Sequence, residues 1–347
     1  MRKLATVRQI EEIKPIEGAD AIEAARVGGW WVVVKRDEYE VGDVAVYLEI
    51  DSWVPHELAP FLAKGQEPKT YEGVVGNRLR TVRLRGQLSQ GLLLPISVLG
   101  PAEEIFPINP DSAGADVTEQ LGIIKWEPQL PAQLAGKVRG TFPGWMRKTD
   151  QERIQNCFND VSPLFGDLWT VEEKLDGSSM TVGKRGADIH VCSRNLSIKL
   201  EDETNSFVAT AIETGVLKAL EQYPRDIAIS GELCGEGIQK NRYALKGQQW
   251  FVFDIFDVTE QRYASYNERQ NILSELTELG ASLSQVPNIV TAVSLSGHTV
   301  DSLLALAEGK AHLNPKTERE GFVYKNAHNP DITFKAISNR FLLKNGE

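Results

Sequence analysis

The chain of 347 residues contains only three cysteines, Cys157, Cys192 and Cys234. They are scattered, with no Cys-x-x-Cys spacing, which speaks against a disulfide framework and a cysteine-ligated zinc site; buried thiols are expected instead. Long apolar runs are also missing, since none reaches the ~18 residues that span a bilayer. The opening Met1-Arg2-Lys3-Leu4 leads into polar sequence without the apolar core of a signal peptide. No membrane partner and a cytoplasmic or nuclear compartment are therefore expected. Positive charge is in deficit: 38 Lys and Arg against 48 Asp and Glu give a net charge of −10. The deficit is shared evenly, residues 1–125 carrying 14 basic against 19 acidic residues and the remainder 24 against 29. This leaves room for a nucleic-acid surface only as a local patch, because affinity depends on the phosphates neutralised at the contact and not on the total. The five histidines (His56, His190, His298, His312, His328) form no ligand cluster, and no internal repeat or low-complexity tract is visible.

What is present is ample apolar sequence, 41% of the residues, in a chain long enough for two domains. Residues 1–125 read as a small β domain. Strands are expected at Trp30–Val34, Val44–Ile50, Leu79–Leu84 and Gly91–Leu94, with turns at Gly28-Gly29 and Gly42-Asp43, and strands at this spacing close most economically into an OB-like barrel. The stretch from about 100 to 145 is rich in Pro and Gly, including Pro107, Pro110, Pro128, Pro131 and Pro143, and residues 126–148 read as a linker. Order resumes at Thr149, which with Glu152 has capping-box spacing for a helix containing Arg153-Ile154-Gln155-Asn156. From there to residue 347 strands are expected at 168–171, 189–193, 227–232, 250–256, 321–325 and 332–336, and helices near 200–222, 266–279 and 300–312. Strands and helices intermixed without a strict βαβ rhythm predict an α+β domain with a mainly antiparallel sheet.

Chemistry concentrates in this second domain. Lys174-Leu175-Asp176-Gly177 places a lysine two residues before an acid, beside a glycine that lets phosphates approach, which suits a covalent nucleophile. Alone, such a tetrapeptide is equally compatible with a solvated turn. It is followed in order by Ser193-Arg194-Asn195, Gly231-Glu232-Leu233-Cys234-Gly235, Trp250-Phe251-Val252-Phe253-Asp254, Glu320-Gly321-Phe322-Val323-Tyr324-Lys325 and Phe334-Lys335-Ala336, each at an expected strand or strand end. Singly, Asp176, Glu232 and Glu320 would read as solvated surface acids, Lys325 and Lys335 as surface lysines, and Phe253 and Val323 as core.

Together, the six blocks resemble the nucleotidyltransferase motifs shared by polynucleotide ligases and messenger-RNA capping enzymes, over residues 145–347. The Lys-Leu-Asp-Gly-Ser form, with Ser179 where DNA ligases and capping enzymes carry arginine, resembles RNA ligases. An OB-like module in front of the catalytic domain resembles the two-domain Naegleria type. The resemblance implies an ATP-grasp-like nucleotidyltransferase fold and an ATP-dependent enzyme that joins RNA ends, with a guanylyltransferase acting on GTP or a non-catalytic RNA-binding protein as alternatives. Under it, Lys174 attacks the α-phosphorus of ATP; its pKa must fall for this, with a divalent cation and desolvation supplying the shift. Asp176, Glu232 and Glu320 are expected to hold Mg²⁺ or Mn²⁺, largely through water. Lys325 and Lys335 would grip the phosphates; Lys335, in a strand that alternates apolar and polar residues, is expected to face a polar cleft. Glu173, Phe253 and Val323 would contact adenine, and Arg194 the ribose or an acceptor phosphate. Relatives often carry a second lysine where this chain has Ile337. The expected partner is an RNA end or a nicked duplex, of RNA or RNA/DNA hybrid, bound by a monomer. In the first domain, Arg78, Arg80, Arg83 and Arg85 sit within one expected strand, Arg78 and Arg80 on one face and Arg83 and Arg85 on the other. They are candidates for tracking a phosphate backbone, with Trp30 or Trp31 stacking on bases; an edge strand and core tryptophans are the alternative.

Overall fold

The structure, a computed structural model, describes residues 3–100, 113–126 and 137–345. The chain forms two compact units, residues 1–129 with 342–347, and residues 130–341.

The first unit is built from short antiparallel strands. Ala5–Gln9, Val44–Leu48 and Leu92–Pro95 make one sheet, and Glu12–Pro15, Ile22–Val27 and Trp30–Lys35 a second. Ile124–Lys125, Ser52–Pro55, Val74–Arg78 and Lys69–Tyr71 make a third. Period-two burial explains them: along Trp30–Lys35, Trp30, Val32 and Val34 are buried and their neighbours less so. The Gly28-Gly29 turn is present, closing a two-residue hairpin in which Val27 pairs with Trp30 and Gly28 takes φ +56°. The expected strands at 30–34, 44–50 and 91–94 are found within a residue or two, whereas Ala5–Gln9, Glu12–Pro15 and Ile22–Val27 were not expected; their mixed polar sequence hides the alternation.

The expected strand at 79–84 does not exist as one element. Val74–Arg78 ends in the third sheet, Leu79 turns into the core, and Val82–Leu84 pairs with Gln87–Ser89 in a separate hairpin. Its two-residue turn is Arg85-Gly86, both at positive φ (48° and 84°). The four arginines therefore do not share the two faces of a strand.

In the second unit an eight-stranded sheet includes, in order, Val138–Thr141, Leu196–Ile198, Asp188–Ser193, Ser178–Arg185, Ile227–Gly235 and Gln248–Asp257. A five-stranded sheet runs Glu152–Arg153, Thr333–Ile337, Gly321–Asn326, Leu168–Lys174 and Asn288–Ser294. Among the described strands of this unit only Glu152–Arg153 with Thr333–Ile337 and Ser284–Gln285 with Gln248–Asp257 pair in parallel, so the α+β, mainly antiparallel expectation holds. Each sheet packs one face on helices. Ser206–Glu213, Val216–Gln222 and Tyr266–Glu278 cover Met180, Val182, Ile229 and Val252 of the larger sheet. Ile154–Val161 and Val300–Ala307 cover Trp169, Tyr324 and Phe334 of the smaller, with the Tyr324 and Phe334 rings stacked at 4.6 Å. The other face of the larger sheet carries an apolar patch of Cys192, Ala228 and Phe256 under Met146, and beside it the polar side chains described below.

Two local expectations change. The sequence read as linker contributes a strand at Val138–Thr141, whose β-branched ends pair with Leu196–Ile198; Pro107, Pro110, Pro128 and Pro131 lie outside the described residues, and Pro143 follows the strand. The Thr149/Glu152 capping box does not form, because Glu152 and Arg153 are drawn into pairing with Phe334 and Lys335, and the helix starts at Ile154 without a side-chain cap. All three cysteines are buried thiols, as expected.

Candidate active site

The strand Leu168–Lys174 presents Thr170, Glu172 and Lys174 on the face away from Trp169 and Val171, which are core. Its register with Gly321–Asn326 puts Lys174 opposite Gly321, Glu172 opposite Val323 and Thr170 opposite Lys325. The next strand adds Ile337 beside Gly321 and Lys335 beside Val323. One polar face of the smaller sheet thus carries Lys174, Glu172, Lys325 and Lys335. The corresponding face of the larger sheet carries Ser179, Thr181, Ser230, Glu232 and Asp254: Ser179 is opposite Glu232, and the Thr181 and Ser230 hydroxyls lie 3.0 Å apart. The glycines next to the charged residues are required by close approach. A Cβ on Gly177 would lie 2.4 Å from the Leu233 carbonyl oxygen, and one on Gly321 2.2 Å from that of Ala336.

Lys174 is ringed by acids. Its Nζ is 2.7 Å from Glu320 Oε1, and Glu232 and Asp176 also act on it electrostatically. Burial pushes the lysine pKa down, but Glu320, Glu232 and Asp176 together push it up and prevail, so the resting side chain is an ammonium. The downward shift expected for the nucleophile is not met by the protein groups alone. Glu232, which accepts the Gly177 backbone N–H at 3.0 Å, is pushed up to about 8 by burial, partly offset by Lys174 and reinforced by Glu320 and Asp176.

Among the described residues no three His, Cys, Asp or Glu side chains converge as a ready metal cage, so Asp176, Glu232 and Glu320 are not assembled around one point. The reason is visible: Asp176 is engaged by Arg242, and its backbone N–H donates to the Tyr243 hydroxyl at 2.7 Å. The donor set nevertheless fits an oxygen-seeking divalent cation. Three carboxylates surround one ammonium, and among the described residues the buried Glu320 Oε2 has no hydrogen-bond partner. Mg²⁺ and its like take only one or two carboxylates directly, and water supplies the rest of the shell.

The expected phosphate-binding lysines part company. Lys335 is on the cleft face, its Nζ 3.7 Å from Asp150 Oδ1, and Asp150 Oδ2 lies 3.2 Å from Arg194 Nη2. Lys325 is buried in an ion network instead, its Nζ 2.7 Å from both Glu172 Oε2 and Asp254 Oδ1 and 2.5 Å from the Phe253 carbonyl oxygen. Arg269 completes the network on Glu172 and the same carbonyl. Burial pushes the Glu172 carboxyl up, but Lys325 and Arg269 outweigh it and hold the pKa below its ordinary value; burial raises that of Asp254. A bulge exposes the Phe253 carbonyl: Ser230 faces Asp254 while Gly231 faces Val252, leaving Phe253 as the extra residue.

Phe253 is partly buried against Leu175, Val286 and Ala311, and Val323 is buried. Glu173 sits on the face opposite Lys174 and accepts the His312 backbone N–H at 3.0 Å. Ile337 is buried and supplies no second cation. In the first unit Arg78 forms an ion pair with Asp51 at 2.6 Å and stacks over Trp126 at 3.8 Å, whereas Arg80, Arg83 and Arg85 are exposed. Trp30 is core and cannot stack on a base; Trp31 already lies under Lys14 at 3.8 Å. Sequence reasoning missed Asp150, Arg242, Tyr243, Glu172, Asp254 and Arg269. Their contacts span tens of residues and leave no local pattern, although Glu172 and Asp254 lie inside or beside the quoted blocks.

An OB-fold domain model matches residues 4–96, and an RNA ligase model matches residues 167–344. No curated protein matches the chain. Among solved structures, a ligand-free point mutant of the Naegleria gruberi RNA ligase is 42% identical over 98% of this chain and 97% of that one, with a TM-score of 0.88. A mutant of the same ligase with ATP and Mn gives 42% identity, 98% of both chains and a TM-score of 0.88. That ligase with PPi gives 42%, 99% and 98% coverage and a TM-score of 0.87. With this identity over nearly the whole length, and the six blocks on the strands that build the cleft, the chain belongs to the RNA ligase family.

Proposed function

We propose that this protein is an ATP-dependent RNA ligase that joins a 3′-hydroxyl to a 5′-phosphate, at nicks in RNA or RNA/DNA duplexes. The observation that carries the reading is Lys174 Nζ beside Glu320, with Glu232 and Asp176 around it, in a chain 42% identical to a ligase solved with ATP and Mn. The Lys174 amine, once deprotonated, forms a bond to the α-phosphorus and pyrophosphate leaves. The AMP then passes to the 5′-phosphate of an RNA end, regenerating the lysine, and the 3′-hydroxyl displaces AMP as the strand is sealed. All three are in-line substitutions at phosphorus, so one pocket serves them.

Each residue has a task that its position supports. Glu320 holds the Lys174 proton in the resting state. Lys335 and Arg194 stabilise negative charge on the phosphates as it develops. Phe253 and Val323 flank the base, whereas Glu173, on the opposite face and bonded to the His312 N–H, supports the strand that bears Lys174. Glu320, Glu232 and Asp176 would hold Mg²⁺ or Mn²⁺, which when bound neutralises these carboxylates and so favours the uncharged amine. Lys325 is assigned to positioning: through Glu172 and Asp254 it ties the sheet bearing Lys174 to the sheet bearing Glu232. Within the run Arg78–Arg85, the exposed Arg80, Arg83 and Arg85 are available to phosphates. A monomer working in the cytoplasm or nucleus belongs to the same reading; no helix of the described residues is long and apolar enough to cross a membrane.

The test is the mass of the protein after incubation with ATP and Mg²⁺. Wild type should gain one AMP and Lys174→Ala none; a fully labelled Lys174→Ala protein would overturn the assignment.

A further inference from the structure

Beside the larger sheet of the second unit lies a small pocket lined by Phe142, Lys148, Thr149, Asp150, Ser179, Thr181 and Arg194. Its polar groups are those that bind oxyanions: hydroxyls on Ser179 and Thr181, the Arg194 guanidinium, and the Lys148 ammonium, which now donates to Asn195 Oδ1 at 2.7 Å. Among the described residues Asp150 brings an acid into this setting. Asp150 Oδ2 is 3.2 Å from Arg194 Nη2 and its Oδ1 is 3.7 Å from Lys335 Nζ. The two cations come from different sheets, Arg194 from the end of Asp188–Ser193 and Lys335 from Thr333–Ile337. Asp150 therefore places one carboxylate oxygen toward each.

We propose that Asp150 stands in for a substrate phosphate: its carboxylate occupies the anion position between Arg194 and Lys335 and must be displaced when a phosphate oxyanion binds there. This rests on the ligase reading for the source of the phosphate, not for the pocket itself. Three features favour displacement. The contact to Lys335 is longer than a hydrogen bond, so a two-oxygen carboxylate spans the gap poorly, whereas a tetrahedral phosphate presents three terminal oxygens. Asp150 lies in the irregular segment 147–151, and its side chain is 42% exposed, so it can swing to water at little cost. Arg194 and Lys335 on Asp150, with Lys148 in the pocket lining, bring three cations to this setting, which favours an anion of higher charge than a carboxylate. Asp150 is thus a positioning residue that keeps Arg194 and Lys335 apart from solvent anions until substrate arrives, and it sets the affinity of the pocket by competing for it.

The oxyanion has two possible sources, the triphosphate tail of the nucleotide and the 5′-phosphate of RNA. The test uses the full-length protein and two substitutions: Asp150→Asn, which removes the charge at constant shape, and Asp150→Glu, which keeps it. Binding of inorganic pyrophosphate is measured by calorimetry, and binding of a 5′-phosphorylated against a 5′-hydroxyl RNA oligomer by fluorescence, with urea midpoints as a check on folding. Loss of a unit charge about 4 Å from an anion in a largely solvated site corresponds to about fivefold in affinity. Asp150→Asn should tighten one of the two ligands by at least about fivefold while Asp150→Glu stays close to wild type. Tightening of pyrophosphate assigns the pocket to the triphosphate; tightening of the 5′-phosphorylated oligomer alone assigns it to the RNA end. Unchanged or weaker binding of both by a folded Asp150→Asn protein would overturn the proposal and make Asp150 a support for Arg194. Binding is read without turnover, so a protein that forms no AMP adduct yet tightens would keep this inference and lose the ligase reading, and an adduct-forming protein without tightening would do the reverse.

Discussion

Lys174 Nζ lies 2.7 Å from Glu320 Oε1, and that contact, with Glu232 and Asp176 behind it, holds the lysine as an ammonium. An ammonium has no lone pair for phosphorus, so the rate of AMP-adduct formation at saturating ATP should rise with pH, and the rise should move to higher pH as Mg²⁺ is lowered below saturation. The sign follows from the raised pKa: the reactive, uncharged form is the minor one below it and grows tenfold per pH unit. Glu320→Gln removes the nearest anion, so its profile should shift to lower pH even as the maximal rate falls with the lost oxygen donor. A flat wild-type profile, or an upward shift in Glu320→Gln, would contradict this.

Lys325 and Lys335 should behave as different kinds of residue, although both stand in the quoted blocks. Lys325→Ala leaves Glu172 and Asp254 buried with one cation fewer, and breaking a buried ionic network by removing one partner costs about 3–5 kcal/mol. Its urea midpoint should drop sharply. Lys335→Ala, on the cleft face, should leave the midpoint nearly unchanged and reduce adduct formation by about 10²-fold or more. Equal stability of the two variants would argue that Lys325 is free of the network.

The first-unit arginines divide in the same way. Arg80, Arg83 and Arg85 are exposed, and replacing all three with Ala should weaken binding to a nicked RNA duplex and flatten the plot of log Kd against log salt by about 0.7–0.9 per arginine that contacts a phosphate. Arg78→Ala should instead lower stability, since it removes the Asp51 ion pair and the Trp126 stack, with little change in salt slope. An unchanged slope in the triple variant would remove this hairpin from the RNA surface.

Much of this was legible in the sequence because the motifs are short and sit on single strands. The alternation Thr333-Phe334-Lys335-Ala336 gave both the strand and the side of Lys335; the capping box that does form, Ser265-x-x-Glu268, was not singled out in the sequence. Thr149-x-x-Glu152 has the same pattern and fails, because pairing of Glu152 and Arg153 with Phe334 and Lys335, some 180 residues away, overrides the local preference. The run from Arg78 to Arg85 misled for a related reason: β-propensity does not mark where a strand leaves one sheet for another, and the positive φ at Arg85 that makes the hairpin is paid by a residue with no glycine-like signal. The Lys325 network was invisible because its anchor is a carbonyl freed by a bulge at Phe253, which depends on register and not on residue type.

The most direct measurement is the intact mass of the protein after ATP and Mg²⁺, followed by a chase with a nicked duplex bearing a ribonucleotide 3′-hydroxyl and a 5′-phosphate. One AMP should be gained, be absent in Lys174→Ala and after removal of divalent metal with EDTA, and disappear as sealed strand accumulates. A protein that gains no AMP, or that gains it and never passes it to the RNA, would contradict the assignment of Lys174 as the nucleophile of an RNA ligase.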